Sequence, residues 1–179
     1  MIKKTSLEFD IKQVLDDLRF INEKHPFHPT SLQVGITHRP AITDSKEKVY
    51  DAIGSLWDEK KQVYLKNESD FTIFNKDFSH LYVHEVYKNL QNSIDLQLGR
   101  VRFMLRKPHT CYSLHIDDDL RYHLVLTTNE GCYMFFKDGG SDHMPADGFI
   151  YEFDGEKTHT AFNAGSTDRI HLVFGTFKN

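Results

Sequence analysis

Two cysteines in 179 residues are too few for a disulfide framework, and Cys111 and Cys132 are wrongly spaced for a zinc finger. They are expected to be small buried thiols in a reducing compartment. No apolar run approaches the ~20 residues of a membrane span. The opening MIKKTSLEFDIKQV is basic but has no apolar signal core. There is no basic excess either: the net charge is -4, which disfavours nucleic acid as a partner. Internal repeats and low-complexity linkers are also missing. These absences leave a soluble, cytoplasmic domain that acts on neither membrane nor nucleic acid. Its oligomeric state is not legible.

The composition is that of an ordinary globular chain, 39% hydrophobic and 27% charged. The length suits one domain over residues 1–179. Its texture changes near residue 95. Residues 1–95 read as helical support with one early strand. Asp10 can cap a helix carrying Ile11, Val14, Leu15, Leu18 and Ile21 on one stripe, which the prolines of HPFHPT then stop. SLQVGITHR reads as a strand ending at Pro40. Asp44 and Glu47 form a capping box ahead of Val49, Ala52, Ile53, Leu56 and Trp57 at helical spacing. A further helix is expected over 78–94, with Val83, Val86, Tyr87, Leu90 and Ile94 on one side. From 96 onward the pattern is strands: RVRFML, CYSLHI, RYHLVLT, CYMFF, FIYEF, THTAF and RIHLVFGTF, separated by Gly, Asp, Asn and Pro. Residues 96–179 are therefore the core of a mainly β fold, a jelly roll backed by N-terminal helices.

Eleven histidines stand out. In YSLHIDDDLRYHL, His115 and Asp117 are two apart, so on a strand both would face one way. Alone this pair means little, because the composition yields about one H-x-D by chance. It gains weight from His159, on another expected strand, and from Arg169 ten residues later. On RIHLVFGTF, Arg169, His171 and Val173 share one face. On RYHLVL, Arg121, His123 and Val125 do the same. Buried arginine needs a partner, and an anionic ligand would supply one. On GRVRFMLRKP, Arg100, Arg102, Met104 and Arg106 share a face. Arg100 is read as a solvated position, while Arg102 or Arg106 is the candidate for a substrate carboxylate. Asp118 and Asp119 are assigned to turn chemistry. His80 and His84 are read as surface or satisfied interface residues. His25, His28, His38, His109 and His143 are read as loop residues.

His115-x-Asp117, His159 and Arg169 together resemble the iron(II)- and 2-oxoglutarate-dependent oxygenases. The block RVRFMLRKPHTCYSLHIDDDLRYHLVLTTNEGCYMFF followed by DHMPADGFIYEFDGEKTHTAFNAGSTDRIHLVFGTF is similar to their aspartyl/asparaginyl/prolyl hydroxylase branch. The resemblance implies a double-stranded β-helix of the cupin-like kind. It implies Fe(II) held by His115, Asp117 and His159, with 2-oxoglutarate and O2 as the other reactants. It places the far carboxylate of 2-oxoglutarate on Arg169, with Arg121 and His123 facing the cosubstrate or an iron-proximal ligand, and puts Arg102 and Arg106 near the substrate. The mammalian aspartyl hydroxylases lack the acidic iron ligand, so Asp117 sets this chain nearer the small bacterial proline-type enzymes. The implied reaction is hydroxylation of an amino acid, free or in a peptide. The residues alone leave open another metal-dependent cupin-type enzyme that does not need Arg169, and a non-catalytic jelly-roll binding module. Residues 41–95 carry no match.

Overall fold

The computed structural model describes residues 2–117 and 119–178; Asp118, assigned above to turn chemistry, lies outside them. In chain order the elements are β1 (Ile2–Glu8), α1 (Ile11–Lys24), β2 (Gln33–Gly35), β3 (Thr37–His38), α2 (Ser45–Asp51), β4 (Trp57–Asp58), β5 (Val63–Tyr64), β6 (Ile73–Phe74) and α3 (Tyr82–Ser93). There follow β7 (Gln97–Arg106), β8 (Thr110–Cys111), β9 (Arg121–Thr127), β10 (Cys132–Phe136), β11 (Ser141–Asp142), β12 (Phe149–Phe153), β13 (His159–Asn163) and β14 (Arg169–Phe177). The main sheet runs β1-β12-β9-β14-β7-β2, and every neighbour is antiparallel. The second sheet runs β11-β10-β13-β8. Together they make the jelly roll.

The alternation of each long strand decides where the core sits. Val101 and Phe103 of β7, Tyr122, Leu124 and Leu126 of β9, and Leu172 and Phe174 of β14 face outward. They pack on Val14, Leu18 and Ile21 of α1 and Val83, Val86 and Leu90 of α3. Each such side chain contributes about 1.5–3 kcal/mol by leaving water. The intervening residues face the second sheet. There Val125, Met134, Phe136, Phe153 and Ala161 form a smaller apolar layer, and beside it sit the arginines and histidines.

Several local expectations change. The early strand is split at Ile36, because the chain crosses between partners there: its N–H donates to Val101 O of β7 (2.8 Å), while its carbonyl accepts from Asn75 N beyond β6 (2.9 Å). The helix begun by Asp44 ends at Asp51, whose carboxylate is drawn to Arg39 and Lys66, and Trp57 joins a short hairpin instead. Of CYSLHI only its first residue, Cys111, lies in a strand, the end of β8. The N-terminal segment, to which the sequence pattern assigns no element, is strand β1 on the edge of the main sheet. Cys132 is buried, but Cys111 is exposed on the short β8. Among the described residues no helix is long and apolar enough to cross a membrane.

The two supporting helices are tied by one buried carboxylate. The Asp10 side chain caps α1, accepting from Lys12 N and Gln13 N. The N-cap position of α3 is Leu81, whose side chain has no acceptor to offer. Asp17 of α1 takes that part, its Oδ2 accepting from Val83 N at 2.7 Å in the interior. Asp17→Ala should therefore cost about 1–2 kcal/mol. Urea denaturation checks this, and an unchanged midpoint would show that α3 needs no such cap.

Candidate active site

His115 and His159 exchange backbone hydrogen bonds, 2.9 Å in each direction. Paired in this way, their side chains project to the same side, with ring centroids 4.3 Å apart. Asp117 is held in register by its N–H to Gly155 O at 2.8 Å. The convergence expected of a regular strand is thus produced by an irregular segment pinned at two points. One ligand atom from each of His115, Asp117 and His159 lies within 4.8 Å of the others.

The donor atoms are prepared for a cation. His115 Nδ1 lies 2.9 Å from Ser113 O and His159 Nδ1 lies 2.7 Å from Lys157 O. A backbone carbonyl can only accept, so each ring carries its proton on Nδ1 and leaves the Nε2 lone pair free. Burial pushes the His159 pKa down, partly offset by the Lys157 carbonyl, so the ring stays neutral. Burial alone would raise Asp117, but Arg121 and then His115 and His159 outweigh it and keep the carboxylate ionised. Arg121 Nη2 donates to Asp117 Oδ1 at 3.1 Å, while Oδ2 lies 3.7 Å from His159 Nε2. Two imidazole nitrogens and one carboxylate oxygen, with no other ligand gathered beside them among the described residues, match the facial donor set of non-haem Fe(II).

The inner face of the main sheet continues from this triad as a bank of cations. Arg169 lies opposite Arg106 in the β14–β7 ladder. Burial lowers both, to about 10, and Arg169 adds to the lowering of Arg106. The Arg106 guanidinium stacks 3.0 Å over the Tyr112 ring, and its Nε and Nη2 have no hydrogen-bond partner. Arg102 has one long contact, Nη1 to Gln33 Oε1 at 3.4 Å, and its Nε is unpartnered. Among the described residues, no carboxylate lies within ion-pair distance of Arg102, Arg106 or Arg169.

Arg169 Nη2 lies 3.1 Å from His171 Nδ1, and His123 Nδ1 lies 3.2 Å from the same atom. A guanidinium has only hydrogens to give, so His171 Nδ1 accepts and its proton sits on Nε2. That Nε2 is buried and without a partner. A narrow recess beside it is lined by Thr128, Cys132, Met134, Met144 and Arg169.

The structure therefore brings His115, Asp117 and His159 together, and places Arg102, Arg106, Arg121, His123 and Arg169 on the same inner face. Arg121 points its guanidinium at two carboxylates, Asp117 and Glu68. Arg100 is corrected: it is buried, not solvated, and bound to Glu68 at 2.7 Å. His38 is also corrected, from loop to buried strand residue. His143 is a surface residue whose Nδ1 meets Cys132 O. Sequence reasoning missed Glu68, which lies in NESDFT where no periodicity marks it. It placed His171 on the right face but gave it no part, although its parity with Arg169 was the available signal.

A sequence profile of the family described as Aspartyl/Asparaginyl beta-hydroxylase matches residues 33–178. No curated protein matches the sequence. Among solved structures, a prolyl-4-hydroxylase from Pseudomonas putida is 16% identical with a TM-score of 0.52, over 99% of this chain and 92% of that one. The viral collagen prolyl hydroxylase of Paramecium Bursaria Chlorella virus-1, a 2OG complex, is 14% identical with a TM-score of 0.52, over 97% and 96%. An oxidoreductase of the 2OG-Fe(II) oxygenase family from Burkholderia pseudomallei is 10% identical with a TM-score of 0.51, over 89% and 75%. At these identities the likeness is one of fold.

Burial, then Arg169 and Arg121, push the His123 pKa down to about 3. A base depressed by folding is protonated first in the unfolded chain. Its stability contribution is whole above its ordinary pKa of about 6.5 and is lost as pH falls from there towards 3. In the metal-free protein His123 should add a loss of about 1.4 kcal/mol per pH unit below that point. His123→Asn should remove this increment. Urea denaturation of both proteins at pH 7, 6 and 5 tests it; parallel pH profiles would contradict the burial of a neutral ring.

Proposed function

The chain belongs to the aspartyl/asparaginyl β-hydroxylase family, and we propose that it is an Fe(II)- and 2-oxoglutarate-dependent dioxygenase that hydroxylates an unactivated C–H bond of an amino acid, free or within a peptide. One observation carries this reading. A His-Asp-His triad with free Nε2 atoms borders the inner face of the main sheet, where three buried guanidiniums have no carboxylate within ion-pair distance among the described residues. A metal alone would not need those cations, and an anion-binding module would not need the triad.

In this reading His115, Asp117 and His159 hold the metal. Bound there, Fe(II) supplies the activation of O2, coupled to oxidative decarboxylation of 2-oxoglutarate to succinate and CO2, that drives hydroxylation. Arg169 takes the far carboxylate of 2-oxoglutarate, because its planar fork stays charged and binds a carboxylate bidentately. Arg106, its ladder partner, adds a second cation at that end, and the buried His171 Nε2–H is a further donor. His123 orients His171. Arg102 lies close enough to lower the Asp117 pKa, and it takes the carboxylate of the substrate. Met134, Phe136 and Phe153 close the apolar side of the site and limit water. A single domain over residues 1–179, acting in the cytoplasm on a small amino acid or peptide and on neither nucleic acid nor membrane, completes the proposal.

The test is succinate release with Fe(II), 2-oxoglutarate and a panel of amino acids and peptides, with mass spectrometry for a gain of one oxygen atom. Asp117→Ala should abolish turnover. Arg169→Ala should raise the 2-oxoglutarate requirement on the order of 10- to 100-fold, the loss of a charged hydrogen bond of about 1.5–3 kcal/mol. If Arg169→Ala left activity and 2-oxoglutarate dependence unchanged, the protein would be a metal enzyme that needs no such cosubstrate.

A further inference from the structure

Glu68 is a buried carboxylate that the proposed chemistry does not use. It sits on a short turn, Glu68–Asp70, held at both ends. Asn67 N donates to Asp70 Oδ2 at 2.8 Å, and Phe71 is buried against Ala52 and Leu56. From there the side chain enters a slot between β7 and β14. The slot exists because Gly99 and Gly175 have no Cβ. One added at Gly99 would stand 2.6 Å from Glu68 O, and one at Gly175 would stand 2.5 Å from Glu68 Oε2 and 2.9 Å from Arg121 Nη1. Gly175 also lies at the register shift of β14.

Inside the slot both oxygens are occupied. Oε1 receives Arg100 Nε (3.0 Å) and Nη2 (2.7 Å), and Oε2 receives Arg100 N (2.9 Å). Arg100 Nη1 is used up on Gly54 O at 2.9 Å. Arg121 Nη1 lies 2.8 Å from Oε1, an ion pair without the alignment of a full hydrogen bond. The other arm of that guanidinium, Nη2, reaches Asp117 Oδ1. Burial alone would raise the Glu68 carboxyl, but Arg121 and then Arg100 hold it well below the usual carboxylate range. Glu68 is therefore a fixed negative charge at the end of a chain that runs Glu68, Arg121, Asp117.

We infer that Glu68 is a positioning residue for the metal centre, acting through Arg121 to set which oxygen of Asp117 is free for the metal. The inference rests on the metal role proposed above for Asp117. An arginine fork left to itself prefers to engage both oxygens of a carboxylate. Glu68 takes one arm of the fork, so Arg121 engages only Oδ1 and leaves Oδ2 on the side of His159. With Glu68 neutral, the fork is released to close on Asp117 and compete with the cation. Outer partners of metal ligands typically change metal affinity 10- to 100-fold.

The experiment titrates the metal-free full-length protein with Co(II), a stable spectroscopic probe, and reads its absorption spectrum and dissociation constant alongside circular dichroism. Glu68→Gln should weaken Co(II) binding by on the order of 10-fold or more while the fold is retained. In an Asp117→Ala background the same substitution should change affinity less than about twofold, because the effect passes through Asp117. A merely structural Glu68 would give equal losses in both backgrounds. If Glu68→Gln does not fold, Glu68→Asp, which draws the carboxylate back from Arg121 by one methylene while keeping its charge beside Arg100, should weaken binding in the same direction. Wild-type binding of Co(II) with unaltered affinity in a folded Glu68→Gln or Glu68→Asp variant overturns the relay alone. Failure of the wild type to bind Co(II) overturns the metal reading and the relay with it.

Discussion

Buried positive charge is the constraint on which this structure turns. Arg100, Arg102, Arg106, Arg121 and Arg169 all lie on the inner face of the main sheet, and all are buried. Desolvating one such ion costs several kcal/mol unless it is paired. Glu68 and Asp117 answer Arg100 and Arg121. Arg102, Arg106 and Arg169 have no such answer within the described residues. The outer face of the same strands, packed on two helices, supplies the apolar burial that can sustain this cost. These three interior cations without a counter-charge among the described residues are the feature on which the proposed binding of anionic ligands rests.

The two halves of the site are set by different devices. The anion side is made by strand parity: Arg169 and His171 on β14, Arg121 and His123 on β9, and Arg102 and Arg106 on β7 point the same way because each pair is spaced by an even number. The metal side is made where parity gives out. His115 and Asp117 lie on a segment with little regular pairing, and two backbone contacts to β13 and to Gly155 aim them at His159. Backbone carbonyls then fix both imidazole tautomers. The family's hydroxylase chemistry is supported in this chain by that junction between a regular sheet and an irregular one.

Much of this was legible beforehand. The strands after residue 95, the jelly roll and the inward arginines follow from alternation and from the turn residues between strands; the triad, on a segment without regular alternation, was reached through a family resemblance. The first half was harder. β1 was invisible because an edge strand with one exposed face carries little apolar signal. The early strand was read whole because its change of partner at Ile36 leaves no mark in composition. Arg100 reads as a position on a solvated strand face; its partner comes from a turn 32 residues earlier.

What the sequence determined by itself was periodicity, and with it the two faces of each strand and the residue types offered to the interior. Periodicity is local, fixed by the alternation of Cβ direction along an extended chain. Only the tertiary structure decided who neutralises whom. Glu68 meets Arg100 and Arg121, and Asp117 is left one oxygen for a metal, because a turn from an unpatterned segment fits a slot that two distant glycines leave open. Coulomb attraction depends on distance in space, and no pattern along the chain records that distance.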